Sequence, residues 1–276
     1  MSEKEMLDLT AEVAKEIAKE AYKDGGKSVV KPTGELVGLV PRAIKAALSP
    51  LEKWILQREY NVAETKKLLE EKLQNTPPEL IEPPEPYIAV PAMQYISYCM
   101  DNDELREMYA NLLANSMNKV VKNGVHPGFV EIIKQLSPDE AKILKYLARS
   151  KVIPTITVRY NNEKGEGFEA VKNFSNVGEL SNCDVPINVS QYFDNLIRLG
   201  LLRASTLSSL SKKSLYEPLK QHPYIQSYTD SNIEISGPYN KVRLNEGYME
   251  LTAFGESFCN ICLSVEDMLT IEIIPS

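Results

Sequence analysis

Few residues in this chain combine the type and the spacing that chemistry needs. Cys259-x-x-Cys262 has the spacing of half a tetrahedral zinc site or of a redox pair, but the second ligand pair that a zinc site needs is missing. The same segment, FCNIC, places Phe258, Ile261 and Cys262 on one helical face, and this buried-helix reading is favoured. The two histidines, His126 and His222, leave few options for a general base, and His126, set before Pro127, reads as a turn or capping residue. Asp101, Asp103, Glu104 and Glu107 cluster at a helix start, where the helix dipole attracts acids without any catalytic role. The chain has no P-loop, no G-x-S-x-G and no H-E-x-x-H. The expectation is a non-enzymatic protein with no catalytic, cofactor-binding or metal-binding residues, no cofactor and no small-molecule substrate.

The elements around these residues read as mainly helical. A chain of 276 residues with 43% apolar and 25% charged residues has the composition of an ordered globular protein of about two domains. Residues 3–23 place Leu9, Val13 and Ile17 one turn apart, so the spacing predicts a helix ending near Gly25-Gly26. From Val29 to Leu56 the chain is more apolar, punctuated by Gly34, Gly38, Pro41 and Pro50, and it carries the single tryptophan, Trp54. Glu35, Arg42, Lys45, Glu52 and Lys53 interrupt this run, which therefore cannot form an 18-residue transmembrane span. It reads either as a helical hairpin packed on its own domain or as a contact surface. Val37, Leu39, Ile44, Leu48, Trp54 and Ile55 are then the candidates to touch a membrane surface or a second copy.

Residues 61–75 predict a charged amphipathic helix, and five prolines within Thr76–Pro86 make an extended connector that also holds Leu80 and Ile81. Helices follow at Val90–Tyr98, at Glu104–Val121 with Asp101 as its cap, and at Phe129–Leu136. In the second of these, Leu105, Met108, Tyr109, Leu112, Leu113, Met117 and Val120 form the packed face, with Asn111 opposite. Ser137-Pro138-Asp139-Glu140 is a capping box with proline at the first helical position. Beyond it, Pro154–Tyr160 alternates like a strand, Asn161–Gly167 is a turn, and Phe168–Val171 returns antiparallel. Helices near Val177–Asn182 and Ser190–Leu199, the strand Leu201-Leu202, a polar excursion from Ser205 to Asn245, the strand Met249–Leu251 and a last helix then give the order of a winged helix.

The expected fold is thus mainly α with a small β component, an N-terminal helical domain followed by a winged-helix-like α+β domain. Its parts are N-terminal helices (1–75), a Pro-rich connector (76–90), a helical core (91–136), the winged-helix-like domain (137–263) and an acidic tail (264–276). The interaction face of the winged helix would be Ser190, Gln191, Asn195 and Arg198. Arg198 is the only basic residue there, Asp194 sits among them, and residues 137–262 carry 14 basic and 14 acidic side chains. Such a neutral domain disfavours nucleic acid as partner and favours a protein partner or self-association, with a DNA-binding regulator as the alternative. Tyr216, Tyr224, Tyr228 and Tyr239 read as packing for the long excursion. The four cysteines with no secretory signal suit a reducing cytoplasm, with a peripheral position at the inner face of a membrane as the alternative.

The phrases ELREMYANLLANSM, HPGFVEIIKQLSPDEAKIL, PPELIEPP and LTAFGESFCNICL resemble the bacterial abortive infection alpha family from about Lys27 to Leu263. The resemblance implies a role in phage defence, in which an infected cell arrests or dies before progeny are released. It brings no active site to carry over. Ala253 and Glu256 stand where that family more often has proline and arginine.

Overall fold

The computed structural model describes residues 59–206, 208–229, 239–264 and 267. The helix expected over 3–23 and the Val29–Leu56 segment, with Val37, Leu39, Ile44, Leu48, Trp54 and Ile55, lie outside them. The chain divides into two compact units, Met1–Gln135 and Leu136–Ser276.

In the first unit, α1 (Glu59–Leu73), α2 (Pro86–Ile96), α3 (Asp103–Ser116) and α4 (Gly128–Lys134) surround an apolar centre. α3 is its axis. Met108, Tyr109, Leu112 and Leu113 are fully buried, and the Tyr109 hydroxyl donates to the Val130 carbonyl oxygen at 3.3 Å. Four expectations fail here. The cap of α3 is Asn102, whose Oδ1 accepts from the Leu105 N–H, and not Asp101. The helix also stops at Ser116, because Asn118 leaves it to bridge Ile81. Val120 is consequently exposed, and Asn111, assigned to the solvent side, is buried. The same bridge explains the proline-rich connector. The Met117 carbonyl accepts from the Glu82 N–H and the Leu80 carbonyl from the Lys119 N–H, so the extended run is pinned beside the end of α3.

The second unit begins at α5 (Pro138–Ser150), where Ser137 and Glu140 form the expected capping box. β1 (Val152–Asn161) and β2 (Gly167–Phe174) make the expected hairpin. Then come α6 (Val177–Leu180), a 3-10 turn at Pro186–Asn188, α7 (Val189–Arg198) and β3 (Leu202–Ser205). The polar excursion is not a plain loop: a 3-10 turn at Lys213–Tyr216, α8 (Glu217–Lys220) and α9 (Pro223–Thr229) bury Tyr216, Leu219 and Ile225. β4 (Lys241–Leu251) and α10 (Ala253–Cys262) follow. The sheet is antiparallel in the order β2-β1-β4-β3. β4 pairs with β1 from Val152↔Glu250 to Asn161↔Lys241, whereas β3 covers only its last turns of pleat, from Leu202↔Leu251 to Ser205↔Tyr248.

α10 fixes the end of the sheet. Thr252 caps it, accepting from the Gly255 N–H and donating to the Gly200 carbonyl at 2.6 Å. Gly255 lets the helix touch backbone directly, since a Cβ there would lie 2.1 Å from the Leu201 carbonyl oxygen. Phe258, Cys259, Ile261 and Cys262 are all buried, as the helix-face reading of FCNIC expected. Burial drives the Cys259 thiol up to about 12 and raises Cys262 as well, which favours the protonated thiol over the thiolate.

Candidate functional site

α7 presents the side chains singled out from the sequence, but they are not equivalent. Val189, Tyr192, Phe193 and Leu196 bury one face of the helix. On the other face, the Ser190 hydroxyl donates to the Lys172 carbonyl at 2.6 Å and so ties the helix to β2. Asn195 Oδ1 accepts from both Nε and Nη2 of Arg198, at 3.0 and 2.6 Å, which holds the guanidinium along its own helix. Gln191 and Asp194 are exposed. His222, far along the chain, reaches α6: its Nε2 lies 2.8 Å from Glu179 Oε1, while its Nδ1 accepts from the Tyr224 N–H. His126 Nδ1 accepts from the Gly128 N–H at 3.0 Å, the turn-capping role expected of it.

The residue that organises this region, Asp139, reads in the sequence only as part of a capping box. Asp139 stands in the first turn of α5, where a carboxylate suits the helix dipole. Its Oδ1 accepts from the Asp184 N–H at 2.8 Å, and its Oδ2 accepts from the Val185 N–H at 3.0 Å and the Tyr192 hydroxyl at 2.8 Å. Lys142 Nζ lies 3.4 Å from Asp139 and 3.1 Å from Asp184. Burial alone would raise the Asp139 carboxyl, but the two backbone N–H groups, then Tyr192 and Lys142, outweigh it and hold its pKa below the ordinary value. The Tyr192 hydroxyl is pushed the other way, first by burial and then by donating to a carboxylate. One buried side chain thereby clamps the loop between α6 and α7 onto α5. Only folding reveals it, because Asp139 and the loop it grips are 45 residues apart.

That clamped loop and the end of α6 before it display apolar side chains to solvent. Leu180 is 53% exposed, Val185 46% and Ile187 43%. The two short elements carrying them pack closely: a Cβ on Gly178 would lie 2.5 Å from the Pro186 carbonyl oxygen. From Asn173 to Ile197 there is no lysine or arginine, while Glu179, Asp184 and Asp194 are exposed. Among the described residues no group of three or more His, Cys, Asp or Glu side chains could hold a metal ion, and no helix is long and apolar enough to cross a membrane.

Comparison with known proteins gives one family. The model of the family described as abortive infection alpha matches residues 57–262. A search of curated proteins gives no match. Among solved structures, an uncharacterized protein from the hydrocarbon-degrading marine bacterium Alcanivorax borkumensis SK2 is 16% identical, with 49% of this chain and 92% of that chain covered at a TM-score of 0.35.

Proposed function

We propose, since the chain belongs to the abortive infection alpha family, that it defends a bacterial host against phage, and that it acts by binding a protein partner and not by catalysis. The observation that carries the second half is the loop between α6 and α7: exposed Val185 and Ile187 on a backbone fixed through Asp139, with exposed Leu180 at the end of α6 beside them. Rigid display matters because a surface already ordered loses less entropy on binding. The acidic surroundings select the partner. Glu179 and Asp194, with no lysine or arginine between Asn173 and Ile197, suit an apolar surface flanked by lysine or arginine and disfavour phosphates of nucleic acid or anionic lipid, while Asp184 is already paired with Lys142.

A second reading is a DNA-binding regulator. The succession α5, β1, α6, α7, β3, β4 and the adjacency β1-β4-β3 support a winged-helix arrangement with β2 as an added edge strand. In such a fold α7 would enter the major groove, but its one basic residue is bonded to Asn195. We place the action in the cytoplasm, with Val29–Leu56 as the segment to test for contact with the inner membrane face or a second copy.

The test of the defence reading is plaque efficiency on hosts carrying the intact chain, the chain without residues 1–56, or none. The reading expects fewer plaques with the intact chain, and equal plating on all three hosts would overturn it. Gel shift of duplex DNA at physiological salt separates the two mechanisms. Protein docking expects no shift, whereas a shift abolished by Arg198→Glu establishes the regulator.

A further inference from the structure

We propose that the polar face at the open end of the sheet is a binding site for a small, neutral, hydroxyl-rich ligand of about monosaccharide size. The face follows from strand alternation. In β1, Ile156, Val158 and Tyr160 point to one side and Thr155, Thr157 and Arg159 to the other, and the cross-strand partners of Thr155 and Thr157 are Gly247 and Asn245. A cavity of about 190 Å³ opens there, lined by Thr157, Glu169, Asn173, Thr206, Asn245 and Gly247, together with Glu246. That is smaller than the roughly 300–1,000 Å³ of sites for drug-sized ligands.

The state of these side chains sets the site apart from ordinary wet surface. Thr157 and Asn173 are polar yet only 6% and 3% exposed. The Asn173 N–H donates to Thr157 Oγ1 at 3.1 Å, and its backbone sits in the left-handed region at φ 51°, which fixes the residue on the cavity wall. Its Oδ1 is buried with no protein donor, an uncompensated acceptor that a small turn of the amide would offer to a ligand hydroxyl. Around it, the side chains of Glu169, Thr206 and Asn245 have no partner among the described residues. Apart from the Asn173 N–H bond to Thr157, polar side chains of mixed donor and acceptor character therefore converge on one cavity without satisfying one another.

Their chemistry narrows the ligand. The lining has no aromatic or aliphatic side chain to take a flat apolar molecule, and no His or Cys to take a soft metal. Glu246 is neutralised by Lys213 at 2.6 Å and Lys220 at 3.0 Å, and Lys213 foremost holds its carboxyl below the ordinary value. In strand register Glu169 lies opposite Arg159 and Arg159 opposite Arg243, without an ion pair to Glu169, the Arg159 guanidinium being held by Asn161 Oδ1 and the Gly167 carbonyl. An anion would meet Glu169, and a cation would meet this basic surround. Vicinal hydroxyl groups fit instead: each can donate to the carboxylate and amide oxygens while accepting from amide N–H and threonine O–H.

The full chain is examined by saturation-transfer difference NMR with D-ribose and D-glucose, and with L-arginine and inorganic phosphate as charged controls. The proposal expects saturation of at least one sugar and of neither control. Asn245→Ala and Glu169→Gln, both at exposed positions and checked for unchanged melting, each weaken sugar binding by roughly tenfold or more. Absence of saturation for both sugars, sugar binding indifferent to both substitutions, or stronger saturation of either control overturns it.

Discussion

Replacing Asp139 with alanine should release the loop that carries Val185 and Ile187 while leaving the rest of the second unit folded. The carboxylate accepts from the Asp184 N–H at 2.8 Å, the Val185 N–H at 3.0 Å and the Tyr192 hydroxyl at 2.8 Å. Hydrogen bonds to a charged acceptor contribute about 1.5–3 kcal/mol each, but they do not simply add here. Asp184 is exposed, so water can reach its N–H, and the Tyr192 hydroxyl keeps the Val185 carbonyl at 3.2 Å. The net cost is therefore about 2–4 kcal/mol, or roughly 10 °C in melting temperature for a unit of this size. Hydrogen exchange measured by mass spectrometry reads the loop directly: amides in 181–192 should exchange roughly 30-fold faster or more, and those of α10 much less so. The pH dependence gives an independent sign. Because the folded carboxyl is held below its unfolded value, its contribution is complete above about pH 4 and is lost as the pH falls through the folded pKa. Wild type and variant should differ by a constant amount between about pH 5 and 7 and converge in acid. Unchanged exchange in 181–192, or a gap that widens in acid, would refute the clamp.

Two further perturbations test the packing beneath the site. Gly255→Ala forces a Cβ against the Leu201 carbonyl and should cost roughly 1–3 kcal/mol, read by thermal melting; a melting point within about 1 °C of wild type would contradict the close approach. Thiol titration at pH 8 should find Cys183, Cys259 and Cys262 slow in the native protein and fast after denaturation, and one equivalent of zinc should leave melting unchanged. Rapid native labelling of the Cys259/Cys262 pair, or stabilisation by zinc, would restore the metal or redox reading of that motif.

What was legible in the sequence was local. Ser137 and Glu140 announce their capping box within four residues, and the alternation of Pro154–Tyr160 declares a strand whose return is only a turn away. What was illegible depends on residues distant in sequence. Asn111 looks like a solvent-face residue by helical period, yet it is buried, and the end of α3 at Ser116 is decided by the bridge from Asn118 to Ile81. The excursion after Ser205 lacks long apolar periodicity, so the short helices that bury Tyr216 and Ile225 leave no signal a period could detect. The same holds for the candidate sites. Helical position alone makes Ser190 a contact residue of α7, but its hydroxyl bonds the Lys172 carbonyl. Val185 and Ile187 carry no local signal at all, because only the long-range hold of Asp139 on this loop leaves them outward.

The central claim, that defence depends on a protein docked on the clamped loop, is tested most directly by plaque efficiency with Val185→Asp and Ile187→Asp combined. Both side chains are solvent-exposed, so the double variant should accumulate and melt like the intact chain. The expected result is plating equal to a host without the protein, while Arg198→Glu protects as well as wild type. Full protection by the double variant at equal protein level would contradict the claim.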